Sequence, residues 1–306
     1  MPDHPLLEIG PAETPPLRKR RWGDRSDGRK LRSLDPLNRV SPYIMDTRGS
    51  ATNYFQGRLT IRAAERFIRQ KRVEGLKGFG LLHFFIAAYV RVVSQRPGIN
   101  RFISGQKLFA RYNIEVLFTL KKELSLDGQE TVVKVVCDPT DTALDIFLRV
   151  SEAMKEARQT GDTNDVDVAA RVLGKIPGFL LKFTVWALKK MDYVGMIPRF
   201  LIELSPFHGS LFITDLGSIK LPPVHHHLYD FGNIPLFLAF GPKQKEFTID
   251  KNGHLVEQRF LDFTITLDER ITDGYYFTGV WRMINDIFLH PEQLDFPPEH
   301  VVEDVE

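Results

Sequence analysis

Phe260-Leu261-Asp262-Phe263-Thr264-Ile265-Thr266-Leu267-Asp268-Glu269-Arg270-Ile271-Thr272-Asp273-Gly274 occupies residues 260–274. In its first eight residues Leu261, Phe263, Ile265 and Leu267 alternate with Asp262, Thr264 and Thr266. Successive side chains of a strand point to opposite faces, so 260–267 is predicted as a strand with one buried side. The alternation then stops in a charged loop, 268–274, and a helical pattern follows over about 275–289. Strand, loop and helix in this order place the loop at one end of a sheet.

The same two periods recur upstream. A charged helix is predicted over 61–74. A buried helix over 80–95 stops at Arg96-Pro97-Gly98. Ile114, Val116, Phe118 and Leu120 mark a strand over 114–120, and a valine-rich strand covers 131–137. Thr140 or Asp141 is expected to cap a helix carrying Leu144, Phe147, Leu148 and Met154. Short strands follow at 210–214, 236–240 and 247–249. The class is α/β, with mixed strands and hairpins rather than regular βαβ repeats.

The chain has 306 residues, 43% hydrophobic and 26% charged, which is the profile of a globular protein with a sizeable core. A single cysteine, Cys137, excludes an internal disulfide framework and a Cys-rich zinc site, points to a cytoplasmic setting and reads as a buried structural residue. The longest uncharged apolar runs, 78–90 and 231–242, fall short of the ~18–20 residues that cross a bilayer. No metal is expected. Consecutive residues on a strand cannot face one ion together, so His225-His226-His227 is a poor ligand set.

Charge is unevenly spread. Residues 1–75 carry a net +7 and the remainder −5, and seven acids but no Lys or Arg follow Arg282. The cluster Arg18, Lys19, Arg20, Arg21, Arg25, Arg29, Lys30 and Arg32 lies in a proline-bearing segment, 1–34, read as a basic, extended or mobile tail ahead of a domain over 35–306. A nucleic-acid or anionic-membrane arm is one reading, but no groove-reading motif accompanies the charge. The plainer expectation is a tail that docks on acidic surface such as the acidic C-terminus of a neighbouring subunit.

Two segments together resemble a known family. Asp268-Glu269-Arg270-Ile271-Thr272-Asp273-Gly274 is similar to the Asp-His-Arg-x-x-Asp-Gly signature of dihydrolipoyl acyltransferases, the catalytic cores of 2-oxo acid dehydrogenase complexes and relatives of chloramphenicol acetyltransferase. Gly209-Ser210-Leu211-Phe212-Ile213-Thr214-Asp215-Leu216-Gly217 is similar to that family's Gly-Gly-Thr-Phe-Thr-Ile-Ser-Asn-Leu-Gly strand. Arg96-Pro97-Gly98-Ile99-Asn100 and the 235–241 strand fall in the matching order, so the resemblance covers roughly residues 38–306.

The resemblance implies a two-layer α+β sandwich, chloramphenicol acetyltransferase-like, that closes as a homotrimer with active sites between adjoining subunits, where an acyl group passes to or from coenzyme A. A histidine there takes the proton of the attacking thiol or hydroxyl, a serine hydroxyl steadies the oxyanion, and an aspartate paired with arginine holds the histidine loop. By position the matches are Glu269 for the histidine, Thr214 for the serine and Asp273 for the aspartate, with Arg39 or Arg48 as its partner. Threonine keeps the hydroxyl donor. Glutamate is a larger change, since an unperturbed carboxyl titrates near ~4.3 and an imidazole near ~6.5. Asp215, where the family has asparagine, puts a second acid close by. His208, His225 and His227 are the candidates for a substitute base. His83, in an apolar helix, reads as a core histidine.

Two further departures bear on function. No lipoyl module is expected ahead of the domain, so the chain is not expected to present a lipoyl group of its own. A hydrophobic helical insertion covers about 165–207. Pro177, Gly195 and Pro198 divide 176–204 into two helices, read either as a lid or packing layer or as an amphipathic segment making peripheral membrane contact. The functional expectation is a coenzyme A-dependent acyltransferase, with a non-catalytic trimeric scaffold that lost the histidine as the alternative.

Overall fold

The computed structural model describes residues 20–121, 130–159, 176–249 and 253–306. The first half of the expected tail, including Arg18 and Lys19, and residues 165–175 of the insertion lie outside the described residues. In chain order the elements are β1 (Gly28–Lys30), α1 (Pro36–Ile44), β2 (Thr52–Thr60), α2 (Arg62–Val73), α3 (Leu81–Gln95), β3 (Arg101–Ser104), β4 (Lys107–Arg111), β5 (Ile114–Lys121), β6 (Glu130–Cys137), α4 (Ala143–Gln159), α5 (Gly178–Val194), α6 (Arg199–Leu204), β7 (Leu211–Asp215), β8 (Leu236–Ile249), β9 (Leu255–Asp268) and α7 (Gly274–Leu289).

Six strands form one mixed sheet in the order β2-β9-β8-β7-β5-β6. β7 runs parallel to both its neighbours and every other pair is antiparallel. Alternation sorts the side chains. Leu261, Phe263, Ile265 and Leu267 of β9 join Leu236, Leu238 and Phe240 of β8 in the main core, under α2, α3, α4 and α7. On the other face Leu117, Phe212 and Phe237 pack beneath a strap through Leu228 and Ile234. A second sheet, β1-β4-β3, stands apart. The class is α/β, as expected.

Helix α3 is buried on nearly every side. His83 lies within it between the rings of Phe79 and Phe147 and accepts a hydrogen bond from Gly80 N. Burial, with Arg72 nearby, pushes its imidazole down to about 4, which is the chemistry of a neutral core histidine.

Four features differ from the sequence expectations. The α4 cap is Thr142, reciprocally bonded with Asp145, whereas Asp141 accepts from Asp138 N and pairs with Arg149. The strands expected at 236–240 and 247–249 are one strand, β8, with a register shift between Phe240 and Lys243 where Gly241-Pro242 interrupts the pattern. β2, with Gly57 at its centre, pairs along its whole length with β9, an element its own weak alternation does not announce. Residues 24–34, expected to be extended or mobile, are packed. Arg25 is 3% exposed, β1 pairs with β4, and Leu31 is in a small core. This segment does meet the acidic C-terminus, but that of its own chain. Arg29 donates to the Val305 and Asp304 carbonyls, and the Arg32 and Ser33 amides donate to the Glu306 carbonyl.

Candidate functional site

The loop after β9 is built on a buried ion pair. Asp268 and Arg270 lie side by side, Nε and Nη2 donating to the two carboxylate oxygens at 2.7 and 2.6 Å, and Arg270 Nη1 reaches the Met45 carbonyl at 2.7 Å. This fork turns the chain back on itself and leaves Glu269 pointing away, half-buried. The Glu269 amide donates to Ala51 O, and its carboxylate accepts from Asn53 Nδ2 at 2.5 Å. Asp273 then caps α7, accepting from Tyr276 N at 2.7 Å.

Neither arginine expected beside Asp273 is there. Arg39 donates to the Arg32 carbonyl, and Arg48 is buried with its guanidinium on the Ile234 and Gly232 carbonyls at 2.7 and 2.9 Å. The charge of Arg48 is felt by Asp268 and Arg270, and the arginine whose charge reaches Asp273 is Arg101, which bonds the Ile271 carbonyl and is held bidentately by Asp304. Long-range packing of the C-terminal residues brings Arg101 here, and sequence spacing carries no trace of it.

Thr214 sits near the end of β7, half-buried. Leu211 and Ile213 face the helices, so Thr214 shares the strap face with Phe212. Asp215 does not share that face. Its carboxylate accepts from Ser218 N at 3.0 Å in a turn, and burial pushes its pKa up. Alternation thus turns the Thr214 and Asp215 side chains apart.

Register sets the distance between the two principal candidates. Thr214 pairs with Ala239 and Ala239 with Thr264, so these three form one row. Glu269 lies five residues beyond Thr264. β9 ends at Asp268, so at ~3.3 Å per residue and ~4.8 Å per strand the start of the Glu269 turn is about 13 Å from Thr214 along the sheet and about 10 Å across it. One chain does not bring them together.

The histidines divide. His208 is buried at the end of α6, Nδ1 on Ser205 Oγ at 2.8 Å and Nε2 3.5 Å from Asp192. It belongs to a buried cluster in which Arg25 bonds Asp27, Asp192 and Ser104, while Asn233 bridges Asp27 to Arg111. That role is structural. His225 stands edge-on to Tyr54 and His227 edge-on to Tyr229, both exposed. His226 stacks on Phe237 with ring centroids 4.2 Å apart. Phe237 pairs with Phe212, two residues from Thr214 on the same face. Desolvation lowers the His226 pKa, with His227 adding to the effect. The strap geometry places it, and no local pattern could have. Among the described residues no three His, Cys, Asp or Glu side chains are grouped to hold a metal. Cys137 is buried, and burial raises its thiol pKa.

No protein-family model matches the sequence, and no curated protein matches it. Solved structures do. A probable dihydrolipoamide acetyltransferase from Listeria monocytogenes superposes with a TM-score of 0.53 at 14% identity, over 85% of this chain and 95% of that one. The cubic core of a pyruvate dehydrogenase multienzyme complex gives 0.54 at 13% identity, over 87% and 94%. The dihydrolipoamide acetyltransferase of Azotobacter vinelandii gives 0.54 at 13% identity, over 86% and 93%. The chain thus has the fold of dihydrolipoamide acetyltransferase catalytic cores. Identity at this level speaks for the fold, and function must be argued from the site.

Proposed function

We propose that this chain is a coenzyme A-dependent acyltransferase whose site is assembled between copies in a trimer, with Thr214 from one copy and the Glu269 loop from the next. The observation that carries this is the register. Two groups that share one reaction in the resembling family are separated here by about 13 Å along the strands from Thr214 to the start of the Glu269 turn, each is partly open, and a neighbouring copy in a trimer would close that gap.

The chemistry is acyl transfer. The acceptor thiol or hydroxyl attacks the thioester carbonyl as its proton passes to the base. The tetrahedral oxyanion takes a hydrogen bond from Thr214 Oγ1. Collapse breaks the carbon–sulfur bond, and the proton returns to the departing coenzyme A thiolate. Glu269, anchored by Asn53 and Ala51, is the base. Asp273 holds the loop by capping α7.

A scaffold without catalysis is the second reading. It is favoured by the Asp268-Glu269-Arg270 loop itself, which carries no imidazole. Light scattering and calorimetry with coenzyme A separate the two. A trimer that binds coenzyme A and turns over an acyl thioester supports the enzyme, a trimer that binds none leaves the scaffold, and a 35.2 kDa monomer at micromolar concentration removes the shared site.

A further inference from the structure

The helix α5 turns its aromatic residues outward. Phe179, Phe183 and Trp186 are 74%, 63% and 54% exposed, and Phe183 stacks on Trp186 at 5.7 Å. Spacings of four, three and seven residues put these three rings and the exposed Tyr193 on one side of the helix. Leu181, Leu188 and Met191 lie on the half-buried side. The sole fully buried residue of α5 is Asp192, near its C-terminal end. Arg25 clamps it there, Nη2 on the carboxylate at 2.8 Å and Nη1 on the Asp192 carbonyl at 2.6 Å. Gly105 in the β3–β4 turn abuts Tyr193 so closely that an added Cβ would stand 2.1 Å from its carbonyl oxygen. The helix is thus held firmly by one end with its aromatic side free among the described residues.

The charge on that side has one sign. Lys182, Lys189 and Lys190 are exposed, and among the described residues none of them pairs with an acid. The one acid of the helix, Asp192, is consumed by Arg25. Lys190 lies within the aromatic stripe, four residues from Trp186 and seven from Phe183. An apolar groove on a protein partner would have to bury its ammonium at a high cost. A two-fold contact with a second copy would set three lysines against three. A layer that is apolar beneath and anionic at its surface accepts rings and ammonium groups together.

We propose that α5 is a membrane-surface helix that lays Phe179, Phe183 and Trp186 into the interface of an anionic bilayer, with Lys182, Lys189 and Lys190 on the lipid phosphates and carboxylates. The site is independent of the acyl-transfer reading, which involves other elements.

The test is co-sedimentation of the full chain with phosphatidylcholine vesicles, with and without phosphatidylserine, at low and high salt. Binding is expected only with phosphatidylserine and should weaken with salt. Each lysine near an anionic surface contributes roughly a fivefold gain in partitioning, so Lys182→Gln, Lys189→Gln and Lys190→Gln together should lower it about a hundredfold. Phe179→Ser with Trp186→Ser should lower it as well, and Lys77→Gln, on another exposed surface, should leave it unchanged. Since both sets of changes are at exposed positions, an unaltered circular dichroism spectrum is expected and is checked alongside. Three results overturn the proposal. The first is equal binding to neutral vesicles. The second is phosphatidylserine binding that survives the triple lysine change, which would assign it to the basic residues 18–32. The third is loss of self-association on Phe179→Ser with Trp186→Ser, which would show a second copy covering this face.

Discussion

Replacing Arg25 by methionine removes the centre of the buried cluster while keeping most of its apolar volume. Burial by itself raises the Asp27 and Asp192 carboxyls. Arg25 and Arg111 more than offset this for Asp27, and His208 and Arg25 do so for Asp192, so both lie below their ordinary value. In the variant Arg111 remains the nearest guanidinium to Asp27, at 3.9 Å, and the Asp192 carboxylate keeps only the imidazole of His208. Breaking a buried ion pair by removing one partner costs about 3–5 kcal/mol, because it leaves an uncompensated charge. A carboxylate whose folded pKa is depressed contributes stability above its unfolded value, near ~3.9, and that stability is lost as pH falls. Without Arg25, burial raises the Asp192 carboxyl more than its remaining partner lowers it, whereas Asp27 keeps Arg111 and its hydrogen bond from Asn233. The variant is therefore penalised at neutral pH and relieved by acid. Urea denaturation followed by circular dichroism should show a loss of about 3–5 kcal/mol at pH 7 that shrinks steadily as the pH is lowered toward 4. Arg25→Lys, which restores the charge without the fork, should fall between wild type and Arg25→Met. A loss below ~1 kcal/mol at pH 7, or one that does not change with pH, would refute the view that this cluster fixes the N-terminal segment and α5.

Glu269→His should raise acyl transfer by roughly 10²–10⁴-fold if the site lacks only an effective base. Adding Thr214→Ala should cancel the gain, and a gain that persists would remove Thr214 from the site. Asp273→Ala should cost about 1 kcal/mol in a urea titration through loss of the α7 cap, while Asp273→Asn should recover most of it. An asparagine variant as weak as the alanine one would mean that the charge, not the cap, matters. Gly105→Ala should lower the stability read from a urea titration by about 1–3 kcal/mol and loosen α5, since its φ of +54° disfavours a Cβ and the Tyr193 carbonyl leaves no room for one. Unchanged stability would mean that the turn rearranges freely.

The departures between sequence and structure have a common cause. β9 is legible because its alternation is strong, and α3 because an apolar run of that length needs a buried helix. β2 is read only through its partner, since Gly57 and the polar residues around it give no pattern until β9 pairs with them. The basic segment misled because a count of charges does not record their partners. Arg25 looks like one more cation of a solvated run until Asp27 and the distant Asp192 are seen to enclose it.

By itself the sequence determined the strand–loop–helix unit of residues 260–289, the α/β class, the core position of His83 and the two segments that resemble acyltransferase cores. These rest on periodicity and on residues adjacent in the chain, which local sterics and burial fix directly. Only the tertiary structure decided that Thr214 and Glu269 stand far apart in one chain, that Asp273 caps a helix with neither Arg39 nor Arg48 beside it, that His226 and not its neighbours faces Phe237, and that α5 is anchored by Asp192 with its rings outward. Each of these depends on strand register or on a contact between residues remote in sequence, and a one-dimensional pattern holds no coordinate for either.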